Sequence, residues 1–223
     1  MKRHAIRGLY VIADTEVIPD GKLTEYVRLA VRGGAQLVQY RDKRATGERR
    51  LRELHELREL CRACQVPLLI NDDVALAQTI DADGVHLGRD DESVEAARAR
   101  LGEGKLIGAS CYNDLLRAEE AQRQGADYVA FGSFHASPTK PDAVKATPTL
   151  LVEARRRFDL PIVAIGGITP ENGALLIDAG TDALAVISGV FAQADIAVAA
   201  ARYSRLFESS AVDDAETLQE DLT

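Results

Sequence analysis

Three groups of residues in this sequence have types and spacing suited to phosphate chemistry. Gln39, Arg41 and Lys43 alternate at the end of an apolar run, so on a continuing strand they point the same way. Two cations and an amide donor converging there suit a phosphate or pyrophosphate, although a rim ion pair with Asp42 or Glu48 would use the same charges. Asp72 and Asp91 follow two further runs. Two carboxylates with open water positions are what Mg²⁺ requires when substrate phosphates supply the remaining oxygens. The competing reading is that Asp72, Asp73 or Asp90 simply caps the next helix. Gly166-Gly167 and Ser188-Gly189 form the third group. Glycines let a backbone approach an anion closely, and tight turns would need them too.

Other reactive side chains carry less. Ser137, Thr139 and Lys140 sit in a segment, 133–149, punctuated by Pro138, Pro141 and Pro148. A loop of that length is either a lid or a surface excursion. Cys61 and Cys64 have metal-ligand spacing but no second pair, and they belong to an apolar helix stripe with Leu54 and Leu57; core packing is expected. Cys111 follows Ser110 without an identifiable base. His86 stands at the end of a run, where a ligand contact and a structural hydrogen bond are equally open. His4 and His55 are uninformative.

The elements that must position these groups are short and repetitive. Continuous apolar runs occupy Gly8–Ala13, Gln36–Tyr40, Pro67–Ile70, Asp83–Leu87, Leu106–Ala109, Tyr128–Gly132, Pro161–Ile165 and Ala183–Ile187. Each is too short for a core helix and reads as a strand covered on both faces. Helical stretches separate them. In the second, Thr46 is the expected cap and Glu48 lies in the first turn. Gly-Ala-Gln-Leu-Val at 34–38, Asp-Ala-Asp-Gly-Val at 81–85, Gly-Ala-Asp-Tyr-Val at 125–129 and Gly-Thr-Asp-Ala-Leu at 180–184 precede or open alternate strands. The first position of each is expected to stop a helix. Eight alternating units close most economically into a single-domain (β/α)8 TIM barrel, with its reactive rim at the strand carboxyl ends. A doubly wound open sheet would need a polar edge strand, and none of the runs has that character.

The chain of 223 residues is 46% hydrophobic and 28% charged, with net charge −8. That balance excludes wholesale disorder and a general nucleic-acid or membrane-surface binder. Six acids and no Lys or Arg lie from Glu208 onward, leaving −2 on the body. The expected division is therefore a catalytic barrel over 1–207 and an acidic, disordered tail over 208–223. The three cysteines, the absence of a signal-like start and the absence of a membrane-length apolar run suggest a cytoplasmic protein, with room for a homo-oligomer.

The ordered motifs QYRDK at 39–43, NDD at 71–73, DGVHLGRDD at 83–91, GAS at 108–110, SPTK at 137–140, IGGI at 165–168 and IS at 187–188 resemble the thiamine phosphate synthase family. The likeness runs from about Gly8 to Phe207. It implies an alkyl or aryl transferase of thiamine biosynthesis that joins a hydroxymethylpyrimidine diphosphate to a thiazole phosphate, or its carboxylate, and releases pyrophosphate. It also implies Mg²⁺ on Asp72 and Asp91. Arg41, Lys43, Ser110 and Lys140 would act in catalysis. The pyrimidine diphosphate would meet Gln39, Tyr40, Arg41, Asp42, Lys43, Asn71, Ser110 and Lys140. The thiazole phosphate would meet Ser137, Pro138, Thr139, Gly167, Ile187 and Ser188. Two departures stand out. His135-Ala136 replaces the usual aromatic and Pro before Ser137, and Arg89 replaces a common Gln. A thiazole tautomerase shares the barrel but uses a His shortly after strand five, where this chain has Ser110-Cys111-Tyr112-Asn113. A non-catalytic phosphate-binding barrel would not need the metal and diphosphate residues.

Overall fold

In the computed structural model, which describes residues 6–43, 47–136 and 144–220 (side chains of 209–220 aside), each apolar run is a strand. These are β1 (Gly8–Asp14), β2 (Ala35–Arg41), β3 (Leu68–Asn71), β4 (Gly84–Leu87), β5 (Leu106–Tyr112), β6 (Tyr128–Phe131), β7 (Ile162–Ile165) and β8 (Ala183–Val186). They pair in parallel in chain order, and β8 closes on β1. The barrel expected from the alternating pattern is therefore present, and an open sheet is not.

Strand alternation divides the apolar residues into two cores. Leu9, Val11, Val38 and Tyr40 face outward and pack under the helices. Tyr10, Ile12, Leu37, Leu69, Tyr128 and Val163 fill the barrel interior. The helices are α1 (Leu23–Arg32), α2 (Glu48–Ala63), α3 (Val74–Thr79), α4 (Val94–Leu101), α5 (Leu115–Arg123), α6 (Pro148–Arg157), α7 (Pro170–Asp178), α8 (Ser188–Phe191) and α9 (Ile196–Glu220).

The fourfold echo has a physical role. Gly34, Asp81, Gly125 and Gly180 all take positive φ, at 98°, 52°, 93° and 104°, so each turns the chain out of a helix and into a strand. Two positions later, Asp83, Asp127 and Asp182 accept the backbone N–H of Leu68, Ile107 and Ile162 at 2.8, 2.8 and 2.7 Å. Each of these carboxylates thereby ties one strand to the one before it. An arginine from a helix two units back holds each turn. Arg58 binds the Asp81 carbonyl at 3.1 Å, Arg98 the Gly125 carbonyl at 2.9 Å, and Arg155 the Gly180 carbonyl at 3.0 Å. The fourth turn is held instead by Ser204 of α9, which donates to the Gly33 carbonyl at 3.0 Å.

Some local expectations change. The buried stripe of α2 is Leu54, Leu57, Leu60 and Cys61, while Cys64 is the exposed C-cap. The helix ends one residue before Cys64 could join the stripe, and Leu60 fills that place. Burial pushes the Cys61 thiol up to about 12, as core packing requires. Thr46 lies outside the described residues, and Gly47 occupies the N-cap. α9 runs past Glu208 to Glu220. Ala211, Ala215, Glu216, Leu218 and Gln219 favour helix, and neither Gly nor Pro interrupts the segment.

Candidate active site

A cavity of about 150 Å³ opens at the carboxyl ends of the strands, with Gln39, Arg41, Asn71, His86 and Ser110 in its lining. Four strands, β2 to β5, thus send polar side chains to one place, because each ends its apolar run with polar residues of inward parity. Ile12, Ala130 and Ile165 supply apolar wall between them. Tyr112 and Ser133 complete the side nearest the loop after β6.

Arg41 is buried, and its guanidinium is hydrogen-bonded to the carboxylate of Asp14, which is wholly buried at the end of β1. Asp14 also accepts the Glu16 N–H at 2.9 Å. The pair fixes the direction of the arginine, and a planar guanidinium so held retains donors for a second oxyanion. Lys43 is exposed at the rim. Tyr40 does not line the cavity. Strand parity sends it to the outer core, and its hydroxyl donates to Asp42 at 2.8 Å. In this position the Tyr40 hydroxyl supports the rim by holding Asp42.

Asp72 and Asp91 are brought together. Their carboxyl groups are neighbours, and the Asp72 carboxyl is raised to about 6 by burial first and then by its contact with Asp91. Lys43 and Asn71 act in the opposite direction. Asp72 takes φ 64° and donates its backbone N–H to the His86 carbonyl at 2.9 Å. Asp91 accepts the Gly88 N–H at 2.6 Å. The helix caps are other residues: Asp73 accepts the Leu76 N–H at 2.8 Å, and Ser93 caps α4. Two crowded carboxylates left free of capping duty fit a divalent cation. Among the described residues no group of three or more His, Cys, Asp or Glu forms a metal cluster. The fit rests on the carboxylate pair itself, since Mg²⁺ takes one or two carboxylates and leaves its other positions to water and phosphate.

A second cavity of about 290 Å³ adjoins the first and shares Ile165, Gly166 and Ile187 with it. Gly167, Ser188 and Gly189 line it. Gly166 and Gly167 take φ 104° and 60°. A Cβ on Gly166 would lie 1.9 Å from Ser133 Oγ, so only glycine fits. Tyr203 of α9 supports both loops from behind. Its hydroxyl donates to the Ile168 carbonyl at 3.0 Å and would stand 2.2 Å from a Cβ on Gly189.

Sequence reasoning left the role of His86 open and did not single out Tyr10, Tyr128 or Arg117. His86 is bound on both ring nitrogens, to Tyr128 Oη and Ser110 Oγ, each at 2.8 Å. Tyr10 and Tyr128 meet at 3.0 Å between hydroxyls in the barrel interior. Arg117 donates Nε to the Ser110 carbonyl at 2.9 Å and a terminal nitrogen to the Gly88 carbonyl at 3.1 Å. The signal available for the tyrosines was their inward parity within otherwise apolar strands. Ser137, Pro138, Thr139 and Lys140 lie outside the described residues.

A family model described as thiamine monophosphate synthase matches residues 9–190. The chain is similar to the thiamine-phosphate synthase of Nitrosococcus oceani, at 54% identity over 205 residues covering 92% of this chain and 94% of that protein. It is also similar to the thiamine-phosphate synthase of Azoarcus sp., at 53% over 202 residues covering 91% and 98%. Among solved structures it resembles thiamine phosphate pyrophosphorylase from Pyrococcus furiosus, with a TM-score of 0.84 and 34% identity, covering 93% of this chain and 98% of that one.

Proposed function

The chain belongs to the thiamine monophosphate synthase family, and from that premise we propose that it is a transferase of thiamine biosynthesis acting on two small phosphorylated substrates. It joins a hydroxymethylpyrimidine diphosphate to a thiazole phosphate, or its carboxylate, and releases thiamine phosphate and pyrophosphate. The observation that carries this reading is the pair of adjoining cavities with a shared wall. One is lined by Arg41, Gln39 and Asn71, the residue before Asp72; the other is bounded by glycine loops.

Asp72 and Asp91 would hold Mg²⁺, which supplies charge neutralisation for the departing diphosphate. Arg41, aimed by Asp14, and Lys43 at the rim bind diphosphate oxygens. Gln39, Asn71 and Ser110 orient the pyrimidine, and Asp42 shapes the rim beside Lys43. Gly167, Ile187 and Ser188 grip the thiazole phosphate from the second cavity, as loops after β7 and β8 do in such barrels. Ser137, Pro138, Thr139 and Lys140 enter through the resemblance alone, with Lys140 on the diphosphate.

The family resemblance implies a dissociative order of bond changes. The C–O bond to pyrophosphate breaks first, and the thiazole nitrogen then attacks the resulting pyrimidinylmethyl cation. Such a reaction is accelerated by stabilising the leaving group and by holding the nucleophile in line. The side chains here serve those two purposes. In the family comparison, the tautomerase reading needs a His shortly after β5. This chain has Cys111-Tyr112-Asn113 there, and the Cys111 thiol is buried and pushed up to about 12 by that burial.

The deciding experiment supplies purified protein with both substrates and Mg²⁺ and follows thiamine phosphate and pyrophosphate. Equal amounts of the two products are expected. No condensation, but isomerisation of a thiazole carboxylate phosphate, would replace this reading with the tautomerase.

A further inference from the structure

Across the barrel interior, beneath the first cavity, five polar side chains from five strands form one unbroken chain. Gln39 Nε2 donates to Tyr10 Oη at 2.5 Å. Tyr10 Oη lies 3.0 Å from Tyr128 Oη. Tyr128 Oη lies 2.8 Å from His86 Nδ1, and His86 Nε2 lies 2.8 Å from Ser110 Oγ. Gln39 and Ser110, the two ends of the series, and His86 line the cavity, while the two tyrosines lie below it.

The direction of the chain follows from donor counting. Both tyrosines are fully buried, and burial holds both phenols far above their ordinary range, so both keep their protons. A buried hydroxyl proton needs an acceptor. Tyr10 already accepts from Gln39, so its proton goes to Tyr128. Tyr128 then gives its own proton to His86 Nδ1, leaving that nitrogen without hydrogen. A neutral imidazole carries its proton on the other nitrogen, so His86 Nε2–H donates to Ser110.

We propose that Gln39, Tyr10, Tyr128 and His86 form a polarised relay that fixes His86 in the Nε2–H tautomer and turns the Ser110 hydroxyl into a donor toward the cavity. The substrate atom seated on Ser110 is then a hydrogen-bond acceptor, a clause that rests on the pyrimidine-site reading and points to a ring nitrogen rather than to the amino group. Tyr10, Tyr128 and His86 are positioning residues, since they act through Ser110. Gly108 makes the geometry possible, because a Cβ there would lie 2.0 Å from Tyr128 Cζ.

The test of the relay needs no substrate. In a protein with His4, His55 and His135 each changed to Gln, His86 is the sole histidine. Its tautomer is read from long-range ¹H–¹⁵N correlation spectra at neutral pH. A protonated Nε2 with a bare Nδ1 is expected. A protonated Nδ1, or an imidazolium, would overturn the proposal, since the relay would then run the other way or not at all. Tyr128→Phe should abolish the single tautomer and lower kcat by about tenfold, with a smaller change in KM. An unchanged spectrum and rate in that variant would also overturn it. The ligand clause is tested separately with pyrimidine diphosphate analogues in which one ring nitrogen or the other is replaced by C–H. One of the two should bind about tenfold more weakly to the wild type and not to Ser110→Ala. If both analogues bind as the parent does, the acceptor assignment fails while the tautomer result stands. If the tautomer is as expected but no condensation occurs, the functional reading fails and the relay survives.

Discussion

Asp72 and Asp91, which follow the adjacent strands β3 and β4, bring their carboxyl groups side by side, and neither is used as a helix cap. The raised Asp72 carboxyl, at about 6 against an ordinary 3.8, means that the folded protein holds a proton there which the unfolded chain releases. Stability contributed by this group is thus greatest below about pH 4, declines as pH rises toward 6, and is absent above it. Asp72→Asn keeps a residue type that tolerates positive φ and removes the repulsion. It should raise Tm by about 2 °C at pH 7.5 without Mg²⁺ and leave Tm unchanged near pH 4. The gain is small because the group is half-exposed and solvent screens it. Added Mg²⁺ should raise the Tm of the wild type and not that of Asp91→Asn. Differential scanning fluorimetry across pH measures both effects.

Asp14 and Arg41 form a buried ion pair, whereas Lys22 and Glu25 form an exposed one at 2.7 Å. Removing one partner of a buried pair strands a charge, so Asp14→Ala should cost about 3 kcal/mol in urea unfolding. Lys22→Ala should produce no measurable change. Arg41→Ala should also raise the KM for the diphosphate substrate, and Asp14→Ala should share that kinetic defect because it releases the arginine.

Arg117 lies outside the cavity but anchors two strand ends through the Ser110 and Gly88 carbonyls, and it stacks on Tyr112 at 5.7 Å. Gly88 in turn donates to Asp91. Arg117→Ala should cost about 1.5 kcal/mol of stability from lost hydrogen bonds. It should lower kcat about tenfold, because Ser110 and Asp91 both lose their support. Steady-state kinetics with Tm on the same preparation separate the two effects.

Gly108→Ala should destabilise by about 3 kcal/mol, because Tyr128 is fully buried and has no space to yield. Gly104→Ala, with nothing within 4 Å of its new Cβ, should stay within about 0.5 kcal/mol of wild type. Chemical denaturation of the two variants side by side provides the comparison.

The barrel was legible because each buried strand is a short, continuously apolar run, and because helix-stopping residues recur ahead of alternate strands. Asp81 shows the limit of that reading. Its φ of 52° follows the glycine pattern of the other three turns, and Arg58 and Lys105 both bind its carboxylate. No local pattern announces those partners, which come from α2 and from the segment before β5. At the site, the residues ending each strand were visible from parity, including Gln39, Arg41, Asn71 and Ser110. The QYRDK motif puts Tyr40 beside the inward residues in sequence, while parity sends it to the outer core. The interior tyrosines and Arg117 escaped notice because an aromatic in a strand and an arginine on a helix are ordinary by type. Their meaning arises only from which strands the closed barrel makes neighbours.

The ties between Asp83, Asp127 and Asp182 and the strands before them run around the amino-terminal rim of the barrel, on the face opposite the cavities. Three of the four quarters carry such a tie, and in the quarter of β1 and β2 the turn is held by Ser204 of α9 instead. Gly8 of β1 accepts the same treatment as an internal strand, donating to the Asp182 carbonyl at 2.8 Å, and Arg7 and Phe207 border one pocket there. The order in which the polypeptide visits the ring is therefore a convention of connectivity. A circularly permuted chain, opened in the loop between two quarters and joined from the end of α9 to β1, would inherit all three carboxylate ties and every strand pairing.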